Sequence, residues 1–325
     1  MQRGRLRGLG LSSYIECSAG GGPEQAVIEV SVDGAVTVMI GAQSNGQGHE
    51  TAYKQIVCER LGVDPDVVTI VQGDTDRVAW GAGTDGSRSI PVGGAAIAEC
   101  ADKILETMRK AAADAFGVAI EAIEFRDGAF SAVGSNHWVE LRGSACAASR
   151  SVEKGKPVFM ATARWRPPAN TYPNGTHVCE VEIDPETGAV EIVAYSVADD
   201  FGTVLNPRLV AGQVHGGVVQ GIGQALFEAC VFDSDSGQLL TGSFSDYALP
   251  RAEGAPFIRL HLNSVPCRTN LLGMKGAGEA GAIGAPPTVI NAIVDALHDL
   301  GVEHVDMPAT PLSLWRLMSK AQRKP

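Results

Sequence analysis

The sequence predicts an α+β protein: two related modules of mixed sheet packed with helices, with glycine-rich ligand loops between them, over residues 1–160 and 161–325. Three observations carry this. Alternating apolar runs flank turn signals at Asp33-Gly34 and again at Pro185-Glu186-Thr187-Gly188, which predicts one hairpin in each half. After each hairpin the residues follow the same succession of loop, helix, short strand, loop and helix. A proline-rich, basic stretch from Ser151 to Asn174 separates the halves and reads as the connection between them.

In the first half, Val27 to Val32 and Val36 to Ile40 form the hairpin, and Gly41 to Gly48 is a polar glycine loop. A helix follows from His49 to Leu61, then a strand from Val67 to Val71. A second loop, Gly81 to Ser89, leads through Pro91 into a helix from Val92 to Phe116. Ile123 to Phe130 reads as a small hairpin about Asp127-Gly128, and Val139 to Ser149 as a short helix. In the second half, strands at Thr176 to Ile183 and Val190 to Val197 precede a helix from Pro207 or Leu209 to Glu228. Five glycines lie inside that helical pattern, each costing about 1 kcal/mol against alanine. Either another element packs very closely there or the N-terminal part is a loop. Phe257 to Leu262 is a further strand. The basic opening, with Arg3, Arg5 and Arg7, reads as a solvated segment.

The bulk numbers exclude several classes. A net charge of −11 argues against nucleic acid or an anionic membrane as the main partner. No apolar run reaches the ~18 residues of a membrane span, and the opening residues lack a signal peptide's apolar region. Seven scattered cysteines without CxxC pairs argue against a disulfide framework, a zinc site or an iron–sulfur cluster, and set the cytoplasm as the expected compartment. Thirty-nine glycines in 325 residues, about 12% against a usual ~7%, cluster in short loops and point to close backbone approach to ligands.

Lys275 to Gly284 is the stretch with the most chemistry. Four glycines (Gly276, Gly278, Gly281 and Gly284) surround Glu279, and no other charge occurs between Lys275 and Asp295. A carboxylate among small apolar residues is expected to lose water and so become a better base. Pro286 and Pro287 precede an apolar-periodic run from Val289 to Leu300, so the loop is expected to end at a helix N-terminus. The bland alternative, equally open on these residues, is that Glu279 only caps that helix. Gly276 to Gly281 also matches the GxGxxG dinucleotide fingerprint, but that motif needs a buried strand before it and a helix opening within it. Thr269 to Lys275 makes a poor strand and two prolines delay the helix, so the match is rejected.

Five segments in order carry a resemblance: GQGHET (Gly46 to Thr51), GTDGSRS (Gly83 to Ser89), VEIDPETGAVEIVAY (Val181 to Tyr195), NPRLVAGQVHGGVVQGIGQAL (Asn206 to Leu226) and KGAGEAGAIGAPP (Lys275 to Pro287). The chain resembles the C-terminal part of the molybdopterin-binding large subunit of the xanthine dehydrogenase, aldehyde oxidase and carbon monoxide dehydrogenase family. The resemblance implies a molybdopterin cofactor, with the cytosine dinucleotide form left open, and iron–sulfur clusters and FAD carried only by partner subunits. It places Gln47, between Gly46 and Gly48, at the molybdenum centre, and Ser87, Arg88 and Ser89 in the segment wrapping the pterin phosphate. Gln213 falls on the pterin-binding glutamine; Lys275, Gly276 and Gly278 fall in the cofactor loop; Glu279 falls on the active-site glutamate facing the metal. No residue of this chain is implied as a metal ligand. His49 reads as a helix-start polar residue.

The family's large subunit is more than twice this long, and nothing here matches its upstream GGGFG-type loop. The resemblance therefore implies a catalytic half-subunit, inactive without an upstream half, in a hetero-oligomer that hydroxylates an aldehyde or N-heterocycle carbon with oxygen from water. The competing expectation is a non-catalytic pterin-binding or assembly module, or a vestigial fragment.

Overall fold

The computed structural model describes residues 4–148 and 156–321. Strand β1 (Leu6–Ile15) is followed by β2 (Glu24–Val30), β3 (Val36–Ile40), helix α1 (His49–Leu61), β4 (Val68–Val71) and helix α2 (Ala95–Phe116). A small meander of β5 (Ile123–Arg126), β6 (Ala129–Ala132) and β7 (Trp138–Glu140) leads to α3 (Leu141–Ala148). Then come β8 (Phe159–Trp165), β9 (Asn174–Ile183), β10 (Val190–Asp200), α4 (Pro207–Leu226), β11 (Ile258–Leu262), α5 (Ala280–Ala296) and α6 (Pro311–Ala321). None of the described helices is long and apolar enough to cross a membrane.

The chain folds into two compact units that interleave in sequence, in contrast to the contiguous ranges 1–160 and 161–325. One, here the loop unit, comprises residues 17–171 and 266–276; the other, the helix-pair unit, comprises 1–16, 172–265 and 277–325.

In the loop unit the sheet order is β4-β3-β2-β8. The pairs β2–β3 and β2–β8 are antiparallel, and β3–β4 is parallel with α1 as the crossover. Period-two alternation puts Ala26, Ile28 and Val30 on the inward face, where with Val38, Ile40, Tyr53, Ile97 and Ile104 they build the core. In the helix-pair unit the order is β1-β9-β10-β11. Again two pairs are antiparallel and the last, β10–β11, is parallel across a helix, α4. Helix α5 lies over β1 and β9 and against α4. Both modules thus share one plan, as the repeated succession of elements predicts.

Four expectations are corrected. The stretch from Ser151 to Asn174 is not only a connection: residues 151–155 lie outside the described residues, but 159–165 form β8, an edge strand of the loop unit. The basic opening is not a solvated segment. From Leu6 it is β1, and Arg7 pairs with Glu180 at 2.6 Å and with Glu182 at 3.4 Å (Arg3 lies outside the described residues). Glycine hides this strand from pattern reading. A Cβ at Gly8 or Gly10 would lie 2.1 Å from a backbone oxygen of α5, so glycines face inward while Leu9 and Leu11 face solvent, the reverse of the usual alternation. Third, α5 opens at Ala280 rather than near Val289, with Pro286 and Pro287 inside it. Packing of its small residues against α4 outweighs the two missing donors. Last, Trp138–Glu140 is a strand and α3 starts only at Leu141; Ser149 lies outside the described residues.

Candidate cofactor site

The loop unit brings three of its glycine loops together. Gly41 and Gly81 cross so closely that a Cβ on Gly41 would sit 2.1 Å from the Gly81 Cα. Thr84 Oγ1 donates to the Gln43 carbonyl at 2.5 Å, and Ser89 Oγ donates to Thr84 Oγ1 at 3.1 Å. Gly276, from the distant loop, packs onto Ser87: its Cβ would meet Ser87 Cβ at 2.5 Å and Ser18 Oγ at 2.7 Å. The Gly276 N–H donates to Thr171 Oγ1 at 3.3 Å. Residues 189 positions apart in sequence are thereby adjacent.

Each loop is shaped by left-handed backbone. Gly46 has φ 107° and Gly48, which opens α1, has φ 76°. Gln47 between them turns its side-chain oxygen back to accept from Asn45 N–H and from Ser44 Oγ at 3.4 Å, closing the loop on itself. In the second loop Gly86 and Ser87 are both left-handed, at φ 48° and 53°. A serine there is strained, and such strain gathers at ligand clamps. Ser87 stays half-exposed, between exposed Gly86 and buried Arg88 and Ser89.

Arg88 is 1% exposed. Its guanidinium donates to Glu24 Oε2 at 3.3 Å and to the carbonyls of Gly83 at 3.0 Å, Gly22 at 3.1 Å and Pro23 at 2.8 Å. Glu24, fully buried, also accepts from Gln25 N–H at 2.9 Å and Ala82 N–H at 3.3 Å. Arg88 is thus the post around which the loop is tied. Ser89 is also turned inward, and its carbonyl accepts from Tyr53 Oη at 3.0 Å. Sequence reasoning missed Glu24, although a signal was present: it stands in the inward phase of the same alternation as Ala26, Ile28 and Val30. His49 is a buried helix-start residue, packed on Tyr53 with ring centroids 5.4 Å apart. Burial holds its pKa below the usual value, against hydrogen bonds to Ala42, Gln43 and Gln72.

The helix-pair unit holds Gln213, Gly278 and Glu279. Asn206 caps α4, its Oδ1 accepting from Arg208 N–H and Leu209 N–H at 3.1 Å each, with Pro207 in the first turn. The glycines of α4 divide into two sets and one more, Gly223, whose Cβ would lie 2.1 Å from Glu228 Oε1. Gly217 and Gly221 face α5: a Cβ would lie 3.0 Å from Gly281 Cα in the first case and 2.7 Å from Ala285 Cβ in the second. That answers the choice left by the sequence, since α4 is helical throughout and α5 packs on it at backbone distance. Gly212 and Gly216, one turn apart and exposed, have nothing among the described residues within 4 Å of where a Cβ would be. Gln213 lies beside them, half-buried.

Glu279 occupies the N-cap position of α5, with φ −108° and ψ −12°, and its side chain makes no capping hydrogen bond. The capping alternative therefore fails. The carboxylate is exposed, not stripped of water by its small neighbours as expected. The GxGxxG match fails on its strand alone, because the helix does open within it, at Ala280. Lys275 and Gly276 belong to the loop unit and Gly278 and Glu279 to the helix-pair unit, so the two units meet in the sequence inside this motif.

Each unit thus presents glycine-built openings of its own: left-handed loops beside a strained serine in the loop unit, and an open glycine face on α4 in the helix-pair unit. Residues 1–256 match the molybdopterin cofactor-binding domain, and the chain belongs to that family. It is 33% identical over 329 residues to the carbon monoxide dehydrogenase large chain of Hydrogenophaga pseudoflava, covering 97% of this chain and 41% of that one. Over 325 residues it is 33% identical to the nicotine 6-hydroxylase large subunit of Paenarthrobacter nicotinovorans, covering 95% of this chain and 40% of the relative. The fold superposes on a crystal structure of the Cu,Mo-CO dehydrogenase with a TM-score of 0.90 at 32% identity, over 99% of this chain and 42% of that chain. The chain therefore spans about two fifths of the length of the relatives it matches.

Proposed function

We propose that this chain is the C-terminal, glutamate-bearing half of the molybdenum subunit of a hydroxylase that oxidises an aldehyde or N-heterocycle carbon with oxygen from water. The observation that carries the proposal is Glu279, an exposed carboxylate at a helix mouth that does not cap its own helix.

The residues fit a molybdopterin. Gly212 and Gly216 have no backbone or packing reason to be glycine, so the room they leave serves something outside the unit. Gly46 and Gly86 are similarly open. Gln47, Ser87, Gln213 and the amides of Lys275 and Gly278 would hydrogen-bond heterocycle edges and phosphate without adding redox chemistry, while Gly276, its N–H given to Thr171 Oγ1, holds the loop against Ser87. Arg88 and Ser89 serve the same end from inside, by tying the loop. When bound, the molybdenum cofactor supplies oxygen transfer and accepts two electrons. Glu279 stands as general base, its carboxylate oxygen taking the proton of the water whose oxygen is added, which is typically worth ~10²–10⁴ in rate. The overall change, R–H plus water to R–OH with two electrons and two protons released, requires partner subunits bearing iron–sulfur clusters and flavin to carry the electrons away. Phe232, Phe244 and Phe257, 60–87% exposed, support burial against further polypeptide, including the rest of the large subunit.

The test is turnover per bound molybdenum when this chain is co-expressed with the rest of a large subunit and its partners. Glu279→Gln is expected to keep molybdenum content and lose turnover by about 10²-fold or more. Gln213→Ala is expected to lose molybdenum first and activity in proportion. Wild-type turnover per molybdenum in Glu279→Gln would sink the proposal and favour a non-catalytic pterin-binding module.

A further inference from the structure

A polar cluster lies beneath α5 in the helix-pair unit, and none of the chemistry above uses it. His177 on β9 is 0% exposed and Asp199 on β10 is 1% exposed. His177 Nδ1 and Tyr195 Oη are 2.9 Å apart, and Tyr14 Oη donates to Asp199 Oδ1 at 2.9 Å. Both tyrosine rings meet the imidazole edge to face, at 5.6 and 5.7 Å between centroids. Two glycines make room for these side chains. A Cβ on Gly175 would lie 1.8 Å from Asp199 Oδ1, and one on Gly284 would lie 2.6–2.7 Å from three atoms of the His177 ring. His177 Nε2 and Asp199 Oδ2 have no hydrogen-bond partner among the described residues. Unpartnered buried polar atoms lower stability, so the cluster is not there for stability alone.

The place it touches is the weak part of α5. Pro286 and Pro287 carry no N–H, so the carbonyls of Ala282 and Ile283 receive no i+4 helical bond. Gly281 and Gly284 add little helix propensity. The Ile283 N–H donates to the carbonyl of Glu279 itself at 3.0 Å. One turn on, the Gly284 carbonyl accepts from Ser12 Oγ at 2.9 Å and Thr288 Oγ1 at 2.6 Å, while the His177 ring bears on Gly284 from the sheet. The first two turns of α5 are thus held by tertiary contacts, from α4 at Gly281 and from this cluster at Gly284.

We propose that His177, locked by Tyr195 and flanked by Tyr14 and Asp199, is a positioning residue that fixes the first two turns of α5 and thereby the Glu279 carboxylate. The inference rests on Glu279 being the base, and its test reads the helix separately from the chemistry. Amide hydrogen exchange is measured on the full chain for His177→Phe, which keeps a ring under Gly284 without the Nδ1 contact. Tyr195→Phe, which removes only the hydroxyl, serves as the milder variant should the first fail to fold. Exchange at Ile283, Gly284 and Ala285 is expected to quicken about tenfold, with Val289 to Ala296 changed less than about twofold. In the assembled enzyme Tyr195→Phe lowers kcat per molybdenum about tenfold at unchanged KM. Exchange that quickens evenly along α5 and β9, or nowhere, overturns the positioning role even if Glu279→Gln is inactive. Wild-type turnover in Glu279→Gln removes the base assignment and leaves a localised exchange result standing.

Discussion

Arg88 and Glu24 in the loop unit are buried as deeply as His177 and Asp199 in the helix-pair unit, yet the two pairs are built differently. Arg88 and Glu24 touch at 3.3 Å, three carbonyls and two amides take up most of their remaining faces, and Arg88 Nε, without a hydrogen bond among the described residues, still lies 4.0 Å from the Asp85 carboxylate. His177 Nε2 and Asp199 Oδ1 stand 3.8 Å apart, and each residue keeps one polar atom without a partner. Burial pushes the Asp199 carboxyl up to about 7 and the His177 imidazole down to about 4, so near neutral pH the histidine is uncharged and the carboxyl is on the edge of protonation. The loops that would hold a charged ligand are tied by a matched ion pair. The helix that carries Glu279 rests on side chains that shed charge when buried.

The largest effect that can break this comparison is expected at the ion pair. Arg88→Met or Glu24→Ala strands a buried charge, and either should cost about 3–5 kcal/mol in denaturant unfolding. The double variant should cost much less than the sum, because no lone charge remains. Additive losses would show that the pair is not coupled.

A smaller effect, with a change of sign, separates His177 from Asp199. Between about pH 4 and 6.5 the unfolded chain holds the His177 proton and the folded chain does not, so His177 makes stability rise with pH. Between its ordinary 3.8 and about 7 the folded chain holds the Asp199 proton that the unfolded chain has lost, so Asp199 makes stability fall with pH. In the wild type the two slopes oppose each other. His177→Phe should therefore unmask stability that falls as pH rises from about 4 to 7. Asp199→Asn should unmask stability that rises with pH up to about 6.5, each slope being at most ~1.4 kcal/mol per pH unit. Slopes of the same sign in both variants would contradict the assignment.

The smallest effect lies within α4. Gly221→Ala places a Cβ 2.7 Å from Ala285 Cβ and should cost about 1–3 kcal/mol. Gly212→Ala meets nothing within 4 Å and should stabilise the chain by up to about 1 kcal/mol while lowering molybdenum occupancy in the assembled enzyme. A rise in Tm with unchanged molybdenum content would show that the open glycine face does not serve the cofactor.

Much of this was legible in the residues, for local reasons. The hairpins at Asp33-Gly34 and Pro185 to Gly188 are set by turn chemistry and alternation, and both form. Helix α1 runs from His49 to Leu61 as its pattern predicts, between two left-handed glycines. What escaped depends on neighbours remote in sequence. Strand β1 was hidden because its inward residues are glycines, chosen by the backbone of α5. The start of α5 was hidden because Pro286 and Pro287 speak against helix locally, and only packing on α4 and His177 reverses that. Glu24 was visible as an inward-phase residue, but its partner lies 64 positions away.

By itself the sequence determined the α+β class, the repeated plan and the family, because turn residues, periodicity and five ordered motifs are each written locally. It also marked Glu279 as the distinctive carboxylate. Only the tertiary structure decided which glycines meet a neighbour and which are left open, that β1 and β8 each join the sheet of the unit lying across the chain from their neighbours in sequence, and that Glu279 is exposed and does not cap α5. Those outcomes depend on how closely two backbones approach, a distance that no single stretch of residues encodes.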